Sequence, residues 1–410
     1  MNQFNSRPNK SLACFSIPFL LATPVALFIY GDTGVVLADA VSVLGFFIFL
    51  RYLLKPEAVL LGASIAISFV LCITHILLEE GDSIYPLGSL VFFFKPCFAY
   101  FSAFYFLRGR KEISSFFYHF NAFSSLCLIS IIFTIAYQNK GLVRAESYLN
   151  GSIFGLNIFG SYGVNSLAIF FSICSYLAAY PLTVAKGRIA RLAFILIATG
   201  FGYLALMSLS RTAALGAIVM WSTLAFLYAN RSPLTAALFF FLLLAGSTFI
   251  ISVLGTSDML AAKVLQIQQG LATGDFDALS SGRLSLYYAA TLDILNNPVS
   301  GSAFHGFTSG AEALTKFDEL SGLSPHNQYI TTVWKMGPIA AFFYFMMLVV
   351  MVRKSLKKSS SSERRWLIGL LIGTFVIFCS TWDVLIVPNI GALVFFVLGL
   401  FGSGEKVTYE

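Results

Sequence analysis

Apolar stretches of about 20 residues, the length that lets an α-helix cross a bilayer, recur from one end of this 410-residue chain to the other. In hydrocarbon every backbone N–H and C=O must be satisfied within the segment, so repeated runs of this length leave a polytopic helical membrane protein as the economical solution. Composition agrees. Residues of the AVILMFWYC set make up 58% of the chain against 11% charged, and mean hydropathy is +0.82. An average soluble protein carries roughly a quarter charged residues, so a soluble globular fold is excluded.

The hydropathy pattern predicts about twelve transmembrane helices, near residues 12–30, 33–52, 57–78, 84–107, 114–137, 161–182, 189–208, 212–229, 234–255, 327–352, 366–381 and 385–402. The expected organisation is spans one to nine over 1–255, a long non-cytoplasmic helical loop over 256–326, and spans ten to twelve with a cytoplasmic tail over 327–410. With the N-terminus in the cytoplasm, 18 of the 26 Lys and Arg residues fall on the inner side, six of them between Arg353 and Arg365. The positive-inside rule therefore predicts both termini in the cytoplasm. The net charge of +7 is a topology signal, and a nucleic-acid partner is not expected. All six cysteines lie in or beside apolar runs, without the spacing of a zinc site or an external disulfide. The first apolar run, with Pro18 and Pro24 and no small-residue cleavage site, reads as a retained helix. No internal repeat of the kind that marks many transporters is evident.

Two outer segments, 138–160 and 256–326, interrupt the short-loop pattern, and long loops in compact proteins usually carry function. Between 256 and 325 three cations face seven anions, so an anion held there needs an individually placed cation. Arg283 follows Ser280-Ser281-Gly282 and opens a stretch that runs to Asn296-Asn297-Pro298. A serine cap at 280 or 281 would put Arg283 in a first helical turn, where backbone N–H groups favour an anion and a guanidinium can grip phosphate bidentately. Pairing with Asp275 or Asp277 is the alternative. Arg211 sits at the junction of the seventh and eighth spans, either as a snorkelling anchor or as a functional cation. In Ser324-Pro325-His326-Asn327, Ser324 is expected to cap the tenth span, with Pro325 at the first helical position and His326 in the first turn. A helix N-terminus there disfavours imidazolium and leaves a lone pair for proton abstraction, or the ring simply caps the helix. Arg144 either joins the same site or pairs with Glu146.

Asp39, Lys95 and Lys335 fall inside apolar runs, at roughly 2.5 to 3.5 kcal/mol each if unpaired at a helix centre. Lys95, beside the helix-kinking Pro96, either lines a cavity or pairs with Asp39, and the pair, which accounts for two of the three charges, is the reading preferred. His75 and His119 receive no role. Walker, dinucleotide-binding, HExxH and GxSxG signatures are missing, so a nucleotide-driven pump is not expected.

Together, Ser208-Leu-Ser-Arg211-Thr at a span junction, Ser281-Gly-Arg283, Asn297-Pro298-Val-Ser-Gly301, Pro325-His326-Asn327 and Phe159-Gly-Ser-Tyr-Gly-Val-Asn165 resemble the O-antigen ligase and polymerase superfamily of bacterial envelope glycan transferases. The likeness is strongest over about 140–345. It implies a GT-C-like, all-α polytopic fold in the bacterial inner membrane and inverting glycosyl transfer without metal or cofactor at the periplasmic face. The donor it implies is a glycan on undecaprenyl pyrophosphate. The acceptor is the lipid A-core saccharide for a ligase, the reading preferred here, or a lipid-linked repeat unit for a polymerase, which can work with a chain-length regulator. Under this resemblance Arg211 and Arg283 hold the pyrophosphate, Arg144 and Asn327 contribute to binding, and His326 activates the acceptor hydroxyl. A polytopic transporter or lipid flippase is the competing class, recognisable by functional charges near the midplane and pseudo-symmetric halves.

Overall fold

The computed structural model describes residues 10–22, 26–30, 33–78, 85–106, 110–137, 152–153, 156–157, 164–181, 188–207, 210–229, 265, 268–274, 280, 282–307, 314 and 324–403. Helices occupy eleven of the twelve expected spans, and the remaining one, the ninth (234–255), lies outside the described residues. Their order is α1 (Lys10–Ala22), α2 (Ala38–Phe49), α3 (Pro56–Leu78), α4 (Tyr85–Phe94), α5 (Ala99–Phe106), α6 (Arg110–Tyr137), α7 (Val164–Leu177), α8 (Arg188–Met207), α9 (Arg211–Ala229), α10 (Arg283–Asn296), α11 (Gln328–Lys358), α12 (Ser361–Leu371) and α13 (Pro388–Ser403). Among the described residues five helical stretches are long and apolar enough to cross a membrane: Pro56–Leu78, Pro86–Tyr105, Ile189–Leu206, Gln328–Lys358 and Ser361–Thr381. Five shorter apolar helices accompany them.

The purely helical expectation needs one correction. Strands β1 (Ala26–Tyr30), β2 (Thr33–Val36), β3 (Ser152–Ile153) and β4 (Leu156–Asn157) form a small antiparallel sheet in the order β2-β1-β4-β3. The first two expected spans are consequently shortened, with α1 ending at Ala22 and α2 starting at Ala38. Hydropathy cannot tell a short apolar strand from a helix. The local signals favoured the hairpin: Pro24 resists helix continuation, and Gly31-Asp32-Thr33-Gly34 separates the apolar run Ala26–Tyr30 from Val35-Val36.

Helix α13 is buried at every residue, as expected of a helix that is apolar on all sides. It packs against α5 and α11, and α11 in turn lies along α3. Two ion pairs tie this core. Lys95, in a 3-10 turn where Pro96 interrupts the run from α4 to α5, donates to Asp39 of α2 at 2.8 Å, which is the pairing the sequence suggested. Towards the other end of α11, Lys354 pairs with buried Glu57 of α3 and lies 4.3 Å from the centre of the Phe104 ring.

Helix α11 is broken in its first half, and the break positions the candidate site. Pro338 has no N–H to offer the carbonyl of Trp334, and Gly337 turns to a left-handed φ of 74°. In an apolar setting the freed carbonyls need donors. The turn Asn297–Phe307 supplies them: Ser302 N–H donates to Trp334 O at 2.6 Å and Phe304 N–H to Lys335 O at 3.0 Å. This approach requires glycine on both sides. A Cβ on Gly337 would stand 2.0 Å from Val299 O, and one on Gly301 (φ 57°) would stand 2.2 Å from Trp334 O. Asp293 of α10 accepts from Trp334 Nε1 at 2.9 Å, and Phe307 stacks on the same indole at 4.4 Å. His75 of α3 meets His305 edge-on at 4.3 Å. Gly337→Ala therefore combines a penalty of about 1–3 kcal/mol, for a φ of 74° with ψ of 162° that only glycine reaches easily, with a backbone collision. The purified variant is expected to lose the turn's docking, melting several degrees below wild type and cleaving faster in limited proteolysis near 297–307. An unchanged melt and digest would contradict this packing.

Candidate functional site

Three chain segments meet at Trp382. The first is the start of α10. Gly282 adopts φ 82°, which only glycine reaches easily, and the helix begins directly at Arg283. Ser280 Oγ accepts from Leu284 N–H at 3.2 Å, so the expected serine contributes to the first turn although Gly282 holds the cap position. The Arg283 guanidinium carbon stands 5.8 Å from the Trp382 ring centre, within cation–π range. Asp275 and Asp277, its alternative partners, lie outside the described residues.

The second segment is Ser324–Asn327, where the expected geometry needs correcting. Asn327, not Ser324, caps α11: its Oδ1 accepts from Tyr329 N–H at 3.0 Å and Ile330 N–H at 3.2 Å, while its Nδ2 donates to Ser380 O at 2.9 Å. His326 thus precedes the helix instead of sitting in its first turn, and takes φ 52°, an uncommon conformation for a non-glycine residue. Its imidazole stacks on Trp382 with centroids 4.3 Å apart and planes 2° from parallel.

The third segment, Trp382-Asp383, escaped sequence reasoning. It follows a π-helical turn, Ile372–Phe378, whose Phe375 carbonyl accepts from the Tyr329 hydroxyl. Trp382 is fixed by its Nε1–H donating to Ser166 Oγ of α7 at 2.9 Å, directly after the Phe159–Asn165 motif. Asp383 is buried, and its Oδ2 accepts from Ser324 Oγ and stands 3.9 Å from His326 Nδ1. The available signal was an isolated carboxylate beside an aromatic, between the last two apolar runs.

The hydrogen bonds assign the imidazole tautomer. Ser324 has one hydroxyl proton, donated to Asp383, so its oxygen can only accept from His326. His326 N–H and Nδ1 both lie 3.3 Å from that oxygen. Nδ1 therefore carries the proton and Nε2 keeps the basic lone pair. Burial pushes the His326 pKa below its usual 6.5. The Asp383 carboxylate opposes that shift and the Arg283 guanidinium adds to it. Burial therefore favours the neutral ring. A neutral imidazole with a fixed tautomer, a buried carboxylate at its far nitrogen and a guanidinium nearby can take a proton from a hydroxyl beside an anion.

Arg211 opens α9, and Ser210 Oγ accepts from Ala213 N–H at 3.4 Å. The Arg211 side chain lies outside the described residues, but α9 packs on the π-helical turn, with Gly216 against the Phe378 ring. Its first turn is therefore at the Trp382 end of the bundle. Arg144 lies outside the described residues. Lys335 donates to Ser89 Oγ at 3.1 Å, and no group of three or more potential metal ligands occurs among the described residues.

No curated protein matches this chain. A family model described as O-antigen ligase matches residues 192–345, which take in α9, α10, the 297–307 turn, Arg211, Arg283, His326, Asn327 and the first half of α11. Trp382 and Asp383 lie beyond it. That match agrees with the O-antigen ligase and polymerase superfamily that the sequence motifs resemble.

Proposed function

We propose that this protein is an O-antigen ligase of the bacterial inner membrane, transferring a polysaccharide from undecaprenyl pyrophosphate to the lipid A-core saccharide at the periplasmic face. The observation that carries the reading is the meeting of Arg283 and His326 on one indole, both inside the matched residues. In the proposed step the acceptor hydroxyl oxygen attacks the anomeric carbon while the bond to the pyrophosphate oxygen breaks, inverting the configuration. His326 Nε2 takes the hydroxyl proton. Arg283, with Arg211, stabilises the charge growing on the departing pyrophosphate, the electrostatic contribution that usually dominates. Asp383 holds the Nδ1 tautomer through Ser324 and stabilises the imidazolium as it forms. Its Oδ1 is buried without a hydrogen-bond partner among the described residues, an acceptor suited to a sugar hydroxyl. Asn327 acts by capping α11, and Arg144 is assigned to glycan binding. The guanidinium groups neutralise charge as a metal ion would, so transfer should persist in EDTA.

A base works only while unprotonated. With the His326 pKa lowered, kcat/KM is expected to be flat near pH 7 and to fall as pH drops through a value below 6.5. Asp383→Asn removes the charge that raises this pKa, so the acid limb should move to lower pH while kcat falls through lost tautomer control. A kcat/KM profile on both proteins checks this, and an acid limb displaced upward would contradict the role given to Asp383.

Deleting the gene in its own host and running lipopolysaccharide on a gel tests the function. Lipid A-core alone, with long polymer left on the lipid carrier, is the result expected of a ligase. Core bearing a single repeat unit would make the protein a polymerase, and an unchanged pattern would reject both.

A further inference from the structure

Helix α10 is apolar on two opposite faces. Leu286, Ala289 and Ala290 are buried towards Trp334 and Phe307, and Asp293 is buried with them, bonded to the Trp334 indole. On the other side Leu284 (45% exposed), Tyr288 (60%) and Leu295 (69%) form a stripe at helical spacing, without an Asp, Glu, Lys or Arg. Thr291, its polar member, donates its hydroxyl to Tyr287 O at 2.8 Å and so satisfies itself within the helix. A helix resting on a soluble domain turns charged residues outward, whereas one without a polar face is enclosed by protein or by lipid.

The stripe is continuous with the exposed apolar face of α11, a helix long and apolar enough to cross a membrane. It runs into Val299, 56% exposed, whose carbonyl lies against Gly337, and the next residues of α11 include the outward-facing Ile339 (52%) and Phe342 (59%). Direction follows from the contacts: the start of α10 lies with His326 at Trp382, and Asp293 lies on Trp334, eight residues further along α11. The C-terminal end of α10 is therefore the end nearer the membrane-spanning half of α11.

From this continuity we infer that α10 and the 297–307 turn form a re-entrant unit set into the adjoining bilayer leaflet, with Leu284, Tyr288, Leu295 and Val299 against lipid acyl chains and Val299 deepest. Tyr288, apolar in body and polar at its tip, suits the boundary layer. The unit would hold Arg283 and His326 at headgroup depth, where a lipid-linked phosphate lies, so a glycan donor would not have to leave the membrane. The inference rests on the chain spanning a membrane and not on the transferase chemistry.

Single cysteines at 284, 288, 295 and 299, with Asn296→Cys as an exposed control, carry a nitroxide in the full-length protein in phosphatidylethanolamine–phosphatidylglycerol vesicles free of polyprenyl lipid. Of the native cysteines, Cys72, Cys97, Cys174 and Cys379 are buried and Cys127 is half-buried, and labelled wild type supplies the background. Collision with dissolved oxygen is expected to exceed collision with a water-soluble nickel chelate at the stripe positions, rising from 284 to 299, and to be lower at 296. Nickel collision dominating at every position would overturn the inference. So would shielding seen only after adding a polyprenyl pyrophosphate, or only at protein densities that give dipolar coupling between copies, which would assign the stripe to a donor tail or to a second chain. Because these positions are exposed, on α10 or, for Val299, on the turn that follows it, the substitutions remove no core contact, and retained thermal melting confirms the fold in each.

Discussion

Replacing His326 by asparagine is expected to lower glycan transfer by about 10²- to 10⁴-fold, the usual contribution of a positioned base, or about 3–5 kcal/mol of transition-state stabilisation. Asparagine is the cleaner replacement because His326 holds a left-handed φ of 52°, which asparagine tolerates and alanine strains. An equal loss in His326→Asn and His326→Ala then isolates proton transfer from backbone geometry. The variant should insert and melt as wild type does, because Asn327 still caps α11 and Ser324 still reaches Asp383. Single-turnover rates in reconstituted vesicles, with the melt of the same preparation, check this. A variant retaining more than about a tenth of wild-type rate would remove His326 from the chemistry, since that is below the range of general-base effects.

Arg283→Ala is expected to cost a comparable 10²- to 10³-fold in kcat, the scale for losing one donor aimed at developing negative charge. Arg283→Lys separates charge from geometry: an ammonium keeps the charge but not the planar fork, so it should recover only part of the loss. The alanine variant carries a second signature. The guanidinium lowers the His326 pKa, so its removal should move the acid limb of kcat/KM to higher pH, the opposite direction from Asp383→Asn. A purely structural arginine would change stability without moving that limb.

The parts of this site that were legible in the sequence are those that need only local rules. Apolar run lengths gave the helices over eleven expected spans, Asn296-Asn297-Pro298 marked the end of α10, and the Lys95–Asp39 pair followed from the cost of unpaired intramembrane charge. What failed depends on competition between neighbours. Ser324 and Asn327 are both good caps, and the choice turns on Asp383, 59 residues beyond Ser324, which claims the serine hydroxyl. Trp382 and Asp383 belong to the site only because the π-helical turn and the Ser166 bond aim them there. The strands within the first two expected spans were hidden because hydropathy carries no period in a run apolar throughout. The re-entrant geometry rests on Gly301 and Gly337 meeting across a proline break, and their sequence separation hides that contact.

The most direct test of the central claim supplies purified protein in vesicles with an undecaprenyl-pyrophosphate-linked glycan and a lipid A-core acceptor, with EDTA present, and follows both glycosylated product and released undecaprenyl pyrophosphate. The account predicts the two in equal amounts with wild type, and both formed at least about 100-fold more slowly with His326→Asn or Arg283→Ala. Movement of the lipid-linked glycan between leaflets with no new glycosidic bond would contradict it and make the protein a transporter.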